Sequence, residues 1–194
     1  MSQESQEKPK EAKDLSVLVI EPNSEMQRLL RGILASCAIR DIRVHNNSER
    51  AANSILSHPP DIILLEWEVK PFDGAAFLKM IRNKNMYPVC LVPIIIMLSE
   101  ARQCWVEKAI KLGAHAVIAK PISPAAILAR IKWILAGHRQ LRLEGNCYVI
   151  DGTKERLAVE EDRQKQMDSA REYQASQFAE MMSIQSDIDK LLQG

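Results

Sequence analysis

Glycine is scarce in this chain of 194 residues: Gly32, Gly74, Gly113, Gly137, Gly145, Gly152 and Gly194 are all there is. No two stand close enough for a phosphate-cradling loop or a dinucleotide fingerprint, which need several glycines in one turn. Cys37, Cys90, Cys104 and Cys147 are scattered without a CxxC pair, which argues against a zinc ribbon or a small disulfide scaffold and suits thiols in a reducing cytosol. His45, His58, His115 and His138 are isolated and lack metal-ligand spacing. Neither charge sign dominates: 26 Lys and Arg stand against 25 Asp and Glu, a net +1. Bulk attraction to nucleic acid or to an acidic membrane is therefore not expected. The densest apolar stretch, Cys90 to Leu98, is far short of the ~20 residues that span a bilayer. Residues Met1 to Lys13 are polar and charged, unlike a signal peptide. A cytoplasmic protein is expected.

What is present is alternation. Leu15 to Ile20 is a β-branched run that predicts a buried strand, followed by Met26, Leu29, Leu30, Ile33 and Cys37 at helical spacing, with Asn23 or Ser24 as N-cap. The same pairing recurs. Ile42–Val44 precedes a helix from Ser48, which the Pro59-Pro60 pair stops. Ile62–Leu65 precedes a helix with Phe77, Leu78 and Ile81, and Ile94–Leu98 precedes one with Trp105, Val106, Ala109 and Ile110. Ala116–Ala119 precedes a helix that Ser123-Pro124 opens with an N-cap and an N1 proline. This is an α/β chain, a (βα)₅ doubly wound parallel sheet covered on both faces, with a helical C-terminal extension. The expected division is a disordered tail over 1–13, a domain over 14–137, and a linker with an amphipathic helix over 138–194. In such sheets ligands sit beyond the carboxyl ends of the strands, which singles out Glu21, Glu66, Ser99 and Lys120.

Five segments lie in a telling order: Val17-Leu-Val-Ile-Glu21, Asp61-Ile-Ile-Leu-Leu-Glu66, Phe72-Asp-Gly74, Val92-Pro-Ile-Ile-Ile-Met-Leu-Ser99 and Gly113-Ala-His-Ala-Val-Ile-Ala-Lys-Pro121. Together they resemble the receiver domain of two-component response regulators, with its flavodoxin-like fold. The resemblance implies an acidic pair after the first strand and an aspartate ending the third that hold Mg²⁺. In that family the aspartate takes a phosphoryl group from a histidine kinase, while a Ser or Thr after the fourth strand and a Lys after the fifth contact the phosphate. A hard cation and a lysine would there neutralise the transferred group.

The sequence departs from that pattern where it matters most. Glu21-Pro22 stands in place of the acidic pair, and Glu66 in place of the phosphoacceptor aspartate. The extra methylene carries the carboxylate roughly 1.5 Å further out, and in-line transfer tolerates such misplacement badly. Val117 stands where many receivers carry a switching aromatic, whereas Ser99 and Lys120-Pro121 are retained, the Lys-Pro bond being cis in the family. The expected site is thus a degenerate phosphorylation pocket of Glu21, Glu66, Ser99 and Lys120, with no catalytic residue and no cofactor. Three uses of Glu66 stand open. It can join Glu21 in an ion pair with Lys120, or imitate the phosphorylated state by reaching toward Ser99 and Lys120. Alternatively, two carboxylates and the Glu68 carbonyl could weakly hold a hydrated Mg²⁺ or support atypical phosphorylation. Asp61 begins its strand and Asp73 sits in a turn, so neither is expected to accept phosphate.

The expected function is a non-catalytic pseudo-receiver, a protein-interaction module in a phosphorelay. Its partners would be a histidine kinase or another signalling protein. The alternatives are a phosphoryl-accepting receiver with an atypical site and a dimeric coiled-coil scaffold carrying the receiver as a platform. Trp67, next to Glu66, could plug the pocket, dock a partner or pack inside; Trp105 and Trp133 fall on the last two helices, the face many receivers use for dimerisation, where they could anchor an interface or pack in the core, and Val117 is a further interface candidate. In the extension, Met167, Ala170, Gln174, Gln177, Met181, Ile184, Ile188 and Leu191 follow a 3–4 spacing. Such a helix could form a homodimeric coiled coil, bind a partner, or dock on its own receiver. No recognition helix for DNA is visible.

Overall fold

The computed structural model describes residues 11–137 and 140–153, and within the C-terminal segment residues 158, 162–163, 165–169, 171–172 and 175–176. Strands β1 (Ser16–Ile20), β2 (Asp41–His45), β3 (Ile62–Glu66), β4 (Ile94–Leu98) and β5 (Ala116–Ala119) alternate with helices α1 (Ser24–Ser36), α2 (Ser48–Ser57), α3 (Gly74–Ile81), α4 (Gln103–Lys111) and α5 (Pro124–Leu135). The strands form one parallel sheet in the order β2-β1-β3-β4-β5.

Successive strand residues point to opposite faces, and here both faces are dry. Val17, Val19, Ile62, Leu64, Ile95 and Met97 pack with Leu30 and Leu34 of α1 and Ile127 and Ile131 of α5. Leu18, Ile20, Ile63, Leu65, Ile96 and Leu98 pack with Ile55 of α2, Phe77 and Leu78 of α3 and Ala109 of α4. That is why these strands read as unbroken apolar runs. The helix starts use the side chains the sequence offered. Asn23 caps α1 through the Glu25 and Met26 N–H groups, and Ser123 caps α5 through Ala126 N–H. Asp73 caps α3 by accepting from Ala76 N–H at 2.7 Å, which commits it to local geometry.

Two elements depart from the expected division. The tail does not run to residue 13: Ala12–Asp14 form a 3-10 turn that leads into the buried Leu15, and residues 1–10 lie outside the described residues. The segment after Gly137 is more than a linker. β6 (Leu141–Glu144) and β7 (Cys147–Ile150) form an antiparallel hairpin, and the first compact unit runs to Thr153. Tyr148 N–H donates to Arg82 O at 2.7 Å, and Lys84 N–H donates to Asn146 O at 2.9 Å. Gly113 has φ +89°, and a Cβ there would meet the Tyr148 carbonyl oxygen at 2.9 Å, so both turn geometry and the hairpin require glycine. In the second unit the described residues are helical and Met167 is exposed; Met181, Ile184, Ile188 and Leu191 lie outside the described residues.

Arg82 ties the lower end of this unit together. Its side chain is fully buried and donates from Nε to Gly113 O (2.9 Å) and from one Nη to Cys90 O (2.7 Å) and Val92 O (2.9 Å). Its other Nη lies 3.3 Å from His115 Nδ1. Burial among neutral acceptors pulls the guanidinium pKa down to about 9 against an opposing influence from Cys90, so it remains charged at neutral pH. Carbonyl oxygens in a planar array suit a guanidinium fork and not an ammonium. Arg82→Lys is therefore expected to lose about 2–4 kcal/mol in urea unfolding by stranding buried acceptors. Near-wild-type stability would remove Arg82 from this role.

Candidate functional site

Parallel register places the site. Ile20 pairs with Leu65 and His45, and Glu66 pairs with Met97, so Glu21 and Glu66 leave adjacent central strands at nearly the same level. Leu98 pairs with Ala119, and Lys120 N–H donates to Leu98 O at 2.8 Å, which brings the lysine to the same end of the sheet. Lys120-Pro121 is a cis peptide bond.

The three side chains meet. Lys120 Nζ donates to Glu21 Oε2 at 2.8 Å and pairs with Glu66 Oε2. The two carboxylates are almost fully buried, with side chains 2% and 4% exposed, whereas Lys120 is 16% exposed. Each carboxylate has a second anchor. Asn23 N–H donates to Glu21 Oε1 at 3.0 Å, and Glu68 N–H donates to Glu66 Oε1 at 3.2 Å. Gln27 Nε2 donates to the Glu21 carbonyl at 2.6 Å and fixes the loop behind it. Around the triad opens a cleft of about 490 Å³ whose walls include Pro22, Met26, Leu29, Glu68 and Ser99. Ser99 is exposed at its rim and makes no hydrogen bond to Glu66 among the described residues.

Burial works against the charge on Lys120, but its hydrogen bonds to Glu21 and Glu66 and their negative charges outweigh it, holding the ammonium above its ordinary value of 10.5. The arrangement gathers acidic oxygens and then satisfies them internally. It is a closed electrostatic unit.

The donor set does not fit Mg²⁺. That ion needs six oxygens in a tight octahedron. Pro22 supplies no carboxylate, and Glu21 and Glu66 are already turned to an ammonium. Among the described residues no group of three or more His, Cys, Asp or Glu is arranged to hold a metal.

The model of the response regulator receiver domain matches residues 17–132, more than half of the chain. The chain belongs to the response regulator receiver domain family. This receiver is 24% identical over 119 residues to the phosphate regulon transcriptional regulatory proteins PhoB of Klebsiella pneumoniae and of Escherichia coli strain K12, covering 61% of this chain and 51% of each relative. It thus spans about half the length of the curated relatives it matches. Among solved structures, the receiver domain of the Francisella response regulator 1452 aligns with a TM-score of 0.58 at 21% identity, over 64% of this chain and 98% of that one. The receiver domain of the sensor histidine kinase PA1611 from Pseudomonas aeruginosa PAO1, solved with magnesium in its active-site cleft, aligns at 0.57 and 22%, over 63% and 98%. These matches establish the fold, a five-stranded receiver.

The remaining candidates separate by burial. Trp67 is 5% exposed and sits in the core, where a Cβ on Gly74 would lie 2.7 Å from its ring. It does not line the acidic cleft: Gly74 packs against its ring, and its small exposed edge faces a separate cavity shared with Trp105 and Lys108. Trp105 is half-buried under the Arg102 guanidinium, 4.8 Å from the ring centroid. Val117 and Trp133 are half-buried against opposite core layers. Asp61 lies at the far end of β3, where its carboxylate accepts from Ser16 N–H. Asn23 and Gln27 act on the site without having been singled out for it, and Glu68 acts through its N–H instead of the carbonyl expected to face a metal. The capping pattern at Asn23 carried a signal, while the Gln27 amide carried none.

Lys120→Met leaves two buried carboxylates facing each other without a cation. Removing one partner of such a buried set costs about 3–5 kcal/mol. Since the lysine pKa is raised on folding, its contribution is full below the unfolded value of 10.5 and is lost as pH rises through the higher folded value. Urea unfolding between neutral pH and pH ~11 is expected to show an alkaline loss in the wild type that the variant lacks. Equal stabilities and equal pH profiles would contradict the ion triad.

Proposed function

We propose that this receiver is a non-catalytic interaction module of two-component signalling, held in one arrangement by the Glu21–Lys120–Glu66 triad instead of being switched by phosphorylation. The observation that carries this reading is that both buried carboxylates are bound to Lys120. For Glu66 to attack a phosphorus atom, its oxygen would have to leave the ammonium and become an uncompensated buried charge. Its longer side chain also departs from the geometry an in-line transfer requires. With Pro22 in place of the second acidic residue and Glu21 and Glu66 both paired with Lys120, the cleft lacks the free acidic pair that would recruit a divalent ion to neutralise the incoming group.

The triad is a stand-in for part of the phosphorylated state. It supplies a lysine drawn to a negative group at the end of β3, but a carboxylate has one charge where a phosphoryl group carries up to two, and fewer acceptor oxygens. The missing Ser99 contact fits that shortfall. Such a receiver presents a constant surface to a protein partner, either a histidine kinase or another signalling protein. The exposed helix around Met167 offers a second contact surface, suited to another helix or to a second copy of the chain.

Incubation with acetyl phosphate and Mg²⁺, followed by intact-mass measurement, is expected to leave the mass unchanged. A gain of one phosphoryl group that disappears in Glu66→Ala would overturn this reading and make the chain an atypical phosphoacceptor.

A further inference from the structure

The acidic cleft has a neighbour of opposite character. On the other side of the Pro22 ring, between the β1–α1 and β2–α2 connections, lies a cavity of about 310 Å³ lined by Ser24, Gln27, His45, Asn46 and Arg50. It stands at the carboxyl end of the sheet, where parallel α/β folds take their ligands. No carboxylate lines it, whereas Glu21, Glu25, Glu66 and Glu68 line the cleft next door.

Side chains, not helix ends, give this cavity its character. The backbone N–H groups that open α1 and α2 are largely taken: Asn23 Oδ1 accepts from Glu25 and Met26, and Asn47 Oδ1 accepts from Arg50. The Arg50 guanidinium, by contrast, is exposed and makes no ion pair among the described residues. His45 shares the cavity and is half-buried. Burial first, and then the charges of Arg43 and Arg50, push its imidazole pKa below the ordinary 6.5. The walls are fixed in place. Gln27 is anchored to the Glu21 carbonyl, and Glu21 N–H donates to the His45 carbonyl at 3.0 Å.

We propose that this cavity is an oxyanion site that takes a phosphate dianion, free or carried on a monoester, with Arg50 as the charged donor and Ser24, His45 and Asn46 as hydrogen-bonding partners. Arginine matches the spacing of phosphate oxygens, and the hydroxyl, amide and imidazole supply further donors. The exposed Glu25 and Glu68 carboxylates across Pro22 repel the same dianion, which keeps it on the His45 side. This site does not depend on the chemistry of Glu66.

The direct experiment titrates the full chain with inorganic phosphate at constant ionic strength and follows ¹H–¹⁵N shifts. Saturable shifts at Ser24, His45, Asn46 and Arg50 are expected, weakened about tenfold in Arg50→Gln, the scale of one charge-assisted hydrogen bond. His45→Gln provides a second variant should the first not fold. A parallel titration with a phosphoserine peptide assigns the source. Tighter binding than inorganic phosphate points to a phosphoryl group carried by a partner, and weaker binding to the free ion. Absent saturation, shifts clustered elsewhere, or unchanged affinity in folded variants would overturn the proposal.

Discussion

One ammonium group holds the functional end of this receiver in place. Lys120 bridges Glu21 and Glu66, which leave two adjacent central strands, and among the described residues no other cation pairs with those two buried charges. Taking carboxylates out of water costs several kcal/mol each unless they are paired and hydrogen-bonded. Here both conditions are met: the lysine supplies charge, and the Asn23 and Glu68 N–H groups supply the second hydrogen bonds. The loops after β1, β3 and β5 are therefore coupled to one another through a single cation.

The opposite end of the unit uses the reverse solution. Arg82 is a buried cation with no carboxylate, satisfied by carbonyl oxygens from Cys90, Val92 and Gly113. Its own backbone carbonyl receives the hairpin through Tyr148 N–H. The sheet is thus pinned at both ends by cations, a part-buried lysine paired with anions and a fully buried arginine paired with dipoles. The first determines what chemistry the cleft can support, and the second makes residues 140–153 part of the compact unit.

The fold was legible because it depends on patterns that local sequence expresses directly. Apolar runs such as Ile62–Leu65 and Ile94–Leu98 gave the strands, Ser123-Pro124 gave a helix start, and Gly113 fell at a left-handed turn. The hairpin is weakly marked, because its first strand, Leu141–Glu144, is short and charged and lacks the apolar run that marks the strands of the sheet. Arg82 could not be read, because a charged residue near a helix end looks like a solvated one until the carbonyls around it are assembled in space. Of the site, Glu21, Glu66 and Lys120 were legible from their place after the strands, and their meeting follows from the register. Of the three uses open to Trp67, packing is the one the fold makes: strand alternation turns its ring away from Glu66, beneath Gly74.

The central claim is that Lys120 occupies the charge position a divalent cation would need. Isothermal titration of the wild type and of Lys120→Ala with Mg²⁺ tests it most directly. No saturable binding up to millimolar Mg²⁺ is predicted for the wild type, with binding or metal-dependent stabilisation appearing only when the lysine is removed. Saturable Mg²⁺ binding by the wild type, unchanged in the variant, would contradict the claim.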